Sequence, residues 1–186
     1  TGMEFAAGIP GSVGGALVMN AGAYGSEIKN ILKSARVMTN EGEVLELSVD
    51  ELELGYRTSC IPGRGYTVLE ASFQLEPGDG AAIEARMKEL AARRREKQPL
   101  EYPSAGSTFK RPQGYFAGKL IEDAGLRGYG MGGARVSEKH CGFVINGGNA
   151  TASDVMALCG HIRKTVLEQS GVELEMEVKR WGNFDL

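Results

Sequence analysis

At 186 residues the chain is long enough for one large or two small cores, and its 42% hydrophobic and 24% charged content is ordinary for a soluble globular protein. A formal net charge of −3 excludes a general nucleic-acid binder, so an anion site has to be local. No apolar run reaches membrane-spanning length, no signal peptide is visible, and Cys60, Cys141 and Cys159 lack CxxC spacing, which together fit reduced thiols in a cytoplasmic protein.

The opening residues 2–25 are rich in glycine and alanine. Ile9-Pro10-Gly11-Ser12 reads as a turn, and Val13 to Met19 as a small-residue helix. Gly8, Gly11, Gly14 and Gly15 permit positive φ and close backbone approach. A glycine turn that feeds a helix offers amides to a phosphate, and tight packing of small residues explains it equally well. It is neither a P-loop nor a GxGxxG turn.

Strands are predicted at Ser34–Thr39 and Glu43–Leu47, joined by Asn40-Glu41-Gly42 as a hairpin loop. Ser48-Val-Asp-Glu51 reads as a capping box that opens a short helix closed by Gly55. Tyr56-Arg57 follows, and Tyr66–Leu75 is a further strand. A helix runs from about Ala81 to Lys97, with Ile83, Met87 and Leu90 on one face. Its Arg93-Arg94-Arg95 and Lys97 are favourable against the helix dipole, and a phosphate-facing role stays open. The domain change is expected at this helix, giving residues 1–80 and 81–186.

The stretch 98–112 holds Pro99, Pro103 and Pro112, small Ala105-Gly106, Ser107, and the cations Lys110 and Arg111. The prolines forbid helix, and the paired cations suit an anionic group. Tyr115–Ala124 reads as a short amphipathic helix, and Arg127 sits in a glycine-rich loop. Strands at Ala134–Ser137 and Gly142–Asn146 bracket Glu138-Lys-His-Cys141. Thr151-Ala-Ser-Asp154 caps a helix to about Gln169, with Val155, Leu158, Cys159, Ile162 and Val166 as its buried stripe. A last strand, Val172–Arg180, alternates apolar residues with Glu173, Glu175, Glu177 and Lys179. That carboxylate row reads as a solvated face or as the wall of a cleft, where crowding raises a pKa.

The combination of Gly-Met-Glu-Phe-Ala-Ala-Gly-Ile-Pro-Gly-Ser-Val-Gly-Gly, Ala-Gly-Ala-Tyr-Gly, Tyr-Arg-Thr-Ser, Ala-Gly-Ser-Thr-Phe-Lys-Arg-Pro, Ala-Gly-Lys-Leu-Ile-Glu-Asp-Ala-Gly-Leu-Arg-Gly and Val-Glu-Leu-Glu-Met-Glu-Val resembles the UDP-N-acetylenolpyruvoylglucosamine reductase family. The resemblance runs in order along essentially the whole chain and is to the shorter class, which lacks an extra tyrosine-bearing loop. It implies an α+β architecture: the second part of a VAO-type (PCMH) FAD-binding domain, then an α/β substrate-binding domain. The family's flavin site is shared with a preceding segment, so the chain is expected to be an N-terminally truncated piece.

The resemblance further implies a reductase of peptidoglycan synthesis. NADPH reduces FAD, hydride passes to C3 of the enolpyruvyl group of UDP-N-acetylglucosamine-enolpyruvate, and C2 is then protonated. Its catalytic residues fall on Arg57, Ser107 as proton donor, and Glu177 rather than Glu175. Flavin contacts fall on Gly8, Ile9, Pro10, Gly11, Ser12, Gly14, Gly15, Ala16 and Tyr56. Substrate contacts fall on Tyr56, Lys110, Arg111, Arg127, His140 and Lys179, where Arg111 and His140 replace amides of some relatives. Two alternatives stand beside it: a non-catalytic UDP-sugar-binding module and another VAO-type flavin oxidoreductase.

Overall fold

A computed structural model describes residues 1–182. Two compact units divide after Arg94. In the first, Ser12 is extended and its Oγ accepts from the Gly15 amide at 3.1 Å, which caps the six-residue helix α1 (Val13–Val18). A small hairpin follows, β1 (Gly22–Ala23) and β2 (Ser26–Glu27), turned through Tyr24 and Gly25, both at positive φ. The main sheet is antiparallel in the order β4-β3-β5, from β3 (Leu32–Met38), β4 (Val44–Ser48) and β5 (Thr67–Phe73). β3 takes the centre and buries Leu32, Ala35 and Val37. The expected hairpin forms, with Gly42 at φ 86 in its loop.

One expected element is corrected here. Ser48 and Glu51 do make the reciprocal capping bonds, Ser48 N to Glu51 Oε2 at 2.8 Å and Glu51 N to Ser48 Oγ at 3.4 Å. No helix follows them, only a turn through Glu53 at φ 50. The cause is burial: Leu52 and Leu54 are both in the core, and a spacing of two cannot put both on one face of a helix. An unexpected four-residue helix, α2 (Cys60–Gly63), is capped by Ser59. Helix α3 (Gly80–Lys97) forms as the sequence indicates. Its Arg94 Nη1 donates to the Ala7 carbonyl at 3.0 Å, and Tyr24 Oη donates to the Leu90 carbonyl at 3.2 Å. The helix is thereby bonded to the first unit, although the sequence reading placed it with the second.

The second unit is built on an antiparallel sheet ordered β6-β9-β8-β7, from β6 (Ser104–Ser107), β7 (Gly130–Met131), β8 (Ala134–Val136) and β9 (Phe143–Asn146). Helices α4 (Ala117–Asp123) and α5 (Ala152–Ser170) supply Ile121, Leu158, Cys159, Ile162 and Val166 to its core. Thr151 and Asp154 make the capping box, and Gly171 ends α5 at φ 70.

The terminal strand expected at Val172–Arg180 is also corrected. Those residues keep the predicted alternation, with Leu174 fully buried and Glu173 and Glu175 exposed. Pairing, however, is limited to one antiparallel bridge, Phe109 to Met176, flanked by Lys110 N to Glu175 O at 2.8 Å and Glu177 N to Thr108 O at 2.9 Å. Alternation reports which side chains are buried, not how long a ladder runs.

Two glycines of this unit give opposite expectations. A Cβ at Gly133 would lie 2.3 Å from the Gly148 carbonyl oxygen and 2.4 Å from the Ala150 amide, and backbone cannot yield cheaply there. Gly133→Ala is expected to unfold the unit at far lower denaturant. Gly160, inside α5 with open space around it, should gain ~0.5–1 kcal/mol on change to alanine. Urea titrations of the two variants check both signs.

Candidate functional site

The predicted residues fall into two groups, each within one unit. In the first unit the turn from Gly8 to Ser12 leads into α1. Gly8 and Gly11 adopt φ 78 and 137, and nothing lies within 4 Å of a Cβ placed on Gly11. Gly8, Pro10, Gly11, Ser12 and Gly15 are exposed, whereas Ile9, Gly14 and Ala16 are half-buried. Gly14 faces Val68 of β5, and a Cβ placed on it would meet that side chain at an ordinary 3.6 Å. The open, positive-φ Gly11 leaves room for close approach by a diphosphate such as that of FAD.

Tyr56 and Arg57 are the central residues of a tight turn, closed by Gly55 N to Thr58 O at 3.1 Å and Thr58 N to Gly55 O at 3.3 Å. Arg57 is non-glycine yet has φ 56. Its guanidinium donates to the Gly22 carbonyl at 3.3 Å and lies 5.1 Å from the Tyr56 ring centroid. Half-buried and held on both sides, it is not a free surface cation.

Two residues of this group escaped the sequence reading. Arg94, taken there as part of a cationic helix end, is buried beneath Gly8; a Cβ on Gly8 would lie 2.8 Å from its Nη1. Its spacing of four from Leu90 was the available signal. Asn20, fully buried, carried no signal beyond its place after a helix.

In the second unit Ser107 ends β6 and is exposed. The stretch around it, read as a proline-stiffened approach, is an edge strand paired with β9 and irregular between Ser104 and Ser107. Glu177 is half-buried, and its amide bond to the Thr108 carbonyl places its backbone beside the residue that follows Ser107. Opposite Lys110 in the same pairing lies Glu175, and the two side chains form an ion pair. An apolar cavity of about 350 Å³, lined among others by Ala105, Thr108, Cys159, Met176 and Val178, adjoins this pairing; neither Ser107 nor Glu177 is among its lining residues.

The remaining residues of the group are spread along the unit. The Arg111 guanidinium stacks on the Phe116 ring at 4.0 Å and donates from Nε to the Tyr115 carbonyl at 3.3 Å. Arg127 pairs with Glu122 at 2.6 Å and donates to the Glu138 carbonyl. Lys179 is exposed. His140 accepts the Gly142 N–H on Nδ1 at 3.0 Å, and its ring meets Phe143 edge-on. Gly118 and Gly142 make room for it, since a Cβ on either would lie within 3.1 Å of its Cε1. Burial lowers its pKa by disfavouring the imidazolium. Cys60, Cys141 and Cys159 are free and buried, and burial pushes the Cys159 thiol up to about 11. Among the described residues no group of three His, Cys, Asp or Glu could hold a metal ion, and no helix is long and apolar enough to cross a membrane.

The first unit thus holds a glycine turn and a constrained arginine, and the second a serine one residue from the backbone partner of Glu177. Comparison with known proteins gives the family. Residues 1–48 match the model of an FAD binding domain, and residues 98–181 match that of the UDP-N-acetylenolpyruvoylglucosamine reductase C-terminal domain. The chain belongs to the UDP-N-acetylenolpyruvoylglucosamine reductase family. It is 62% identical over 184 residues to the enzyme of that name from Agathobacter rectalis, covering 99% of this chain and 59% of that one. With that of Geobacillus thermodenitrificans it shares 60% over 182 residues, covering 98% and 60%. The crystal structure of the Thermus caldophilus reductase matches with a TM-score of 0.85 at 35% identity, covering 98% of this chain and 65% of that one. The chain thus spans about three fifths of the length of its curated relatives.

His140 gives a direct test of the site's electrostatics. With Nδ1 accepting, the proton of the neutral ring sits on Nε2. Nitrogen NMR is expected to show the Nε2–H tautomer at pH 7 and a midpoint below the ordinary histidine value. Since the folded pKa is depressed, this group's contribution to stability is complete above the unfolded pKa and is lost as pH falls through the folded one. His140→Gln should flatten that acid limb.

Proposed function

We propose that this chain is the C-terminal part of an FAD- and NADPH-dependent reductase of the enolpyruvyl group of UDP-N-acetylglucosamine-enolpyruvate, in the peptidoglycan-building chemistry of the cytoplasm. The observation that carries the reading is the backbone pairing that sets Glu177 beside the Ser107 strand, in a chain whose two family matches run in the same order. FAD, when bound, supplies the hydride to C3.

This chain's own residues handle charge and the proton. Reduction at C3 leaves negative charge at C2, delocalised into the adjacent carboxylate. Arg57 offers that carboxylate a planar cation with two donors, and its turn fixes where the fork points. Glu177 in its protonated form adds a hydrogen bond. Ser107 Oγ delivers the proton to C2; a hydroxyl is a weak acid, but a carbanion is a strong base, and a placed donor outcompetes stray water. Lys110, Arg111, Arg127, His140 and Lys179 offer donors to the UDP-sugar.

Half-reactions of the full-length protein separate chemistry from fold. Ser107→Ala is expected to leave flavin reduction by NADPH unchanged and to slow reoxidation by the enolpyruvyl UDP-sugar by ~10²–10⁴. Slowing both alike would make Ser107 a shaping residue only. Glu177→Gln should slow reoxidation far more than Glu175→Gln, and equal small effects would return both glutamates to the solvent-facing reading.

A further inference from the structure

We propose that Asn20 is a positioning residue for Arg57, because it clamps the carbonyl that closes the arginine's turn. The inference rests on the role given to Arg57 above. Asn20 has 1% exposure, and a buried amide is costly unless both of its ends are paired. Both are: Nδ2 donates to the Gly55 carbonyl at 3.1 Å, and Oδ1 accepts from the Lys29 amide at 2.9 Å. The Gly55 carbonyl also receives the Thr58 amide at 3.3 Å, so a single oxygen serves the turn and the asparagine together.

The turn needs such support. Arg57 sits at φ 56, a region unfavourable for a residue with a Cβ, and a conformation of that kind persists only where its surroundings over-determine it. The supports come from one strap, Val18 to Gly22, that continues from α1. Ser59 Oγ donates to the Val18 carbonyl at 2.9 Å, Asn20 holds Gly55, and the Gly22 carbonyl takes the Arg57 guanidinium at 3.3 Å. The strap therefore grips the turn before, at and after the arginine. Asn20 is the one member whose side chain does the gripping from the core. It is itself at φ 42, which asparagine tolerates and most residues do not. The plainer reading makes Asn20 a satisfied core amide with no bearing on chemistry, and the two readings part under a double-mutant cycle.

The experiment uses the full-length flavoprotein. Asn20→Asp keeps size, backbone tolerance and the acceptor for Lys29, but sets a carboxylate oxygen against the Gly55 carbonyl. Flavin reduction by NADPH should be unchanged, whereas reoxidation by the enolpyruvyl UDP-sugar should slow by ~10–10², the range expected when a catalytic group is displaced by an ångström or less. In an Arg57→Ala background the same change should add no further loss, since its effect passes through Arg57. The Thr58 amide should exchange with solvent faster in Asn20→Asp while the amides of β3 keep their protection. An undiminished loss in the Arg57→Ala background, unaltered Thr58 exchange, or loss of protection across β3 each overturns the proposal. If Arg57→Ala alone leaves reoxidation intact, the assignment of Arg57 is what fails, and the proposal falls with it. Should Asn20→Asp not accumulate as a folded flavoprotein, Asn20→Gly preserves the left-handed backbone, deletes both side-chain bonds and carries the same cycle.

Discussion

The alignment of Glu177 with the Ser107 strand depends on two backbone hydrogen bonds, those that flank the Phe109–Met176 bridge. They fix a register, and the register decides every neighbouring relation. Lys110 comes opposite Glu175 and neutralises it, while Glu177 comes opposite Thr108, one residue from Ser107. A slip by one residue would turn Leu174 and Met176 out of the core and the carboxylates in. The cost of burying a carboxylate row and exposing two apolar side chains protects this alignment, though only one bridge is formed.

The first unit solves a related problem by other means. Its arginine sits at positive φ on a tight turn, with its guanidinium over the Tyr56 ring and bonded to the Gly22 carbonyl. Backbone carbonyls at 18, 22 and 55 serve as fixed acceptors, and an arginine of the neighbouring helix, Arg94, occupies the hollow that Gly8 leaves. Glycine here is less a hinge than a means of letting a guanidinium lie under a loop.

Much of this was legible in the chain. Hairpin, capped helices and buried stripes followed from periodicity, because burial on one face is what such patterns encode. Two elements were misread for the same reason in opposite directions. Ser48-Val-Asp-Glu51 has a helix's cap without a helix, since Leu52 and Leu54 both turn inward. Val172–Arg180 has a strand's alternation without a ladder. The candidate residues themselves came from the resemblance of the motifs, not from spacing. What no local pattern conveys is which polar groups meet across the chain: Asn20 with Gly55, Arg94 with Ala7, Lys110 with Glu175. Those pairs are 35, 87 and 65 residues apart.

The shortness of the terminal pairing also bears on how activity would be regulated by temperature and denaturant. The segment is held by two ladder bonds, by the buried Leu174, and by Arg163 of α5, whose Nε donates to the Leu174 carbonyl at 2.9 Å and whose Nη2 pairs with Glu173 at 3.1 Å. Were the segment to undock, Glu177 would no longer face Thr108. On the role proposed for Glu177, turnover would then be the intrinsic rate multiplied by the docked fraction. On that proposed role, changes at Leu174 or Met176 would act as a dial on the number of competent molecules at any instant and not on the chemistry of each one.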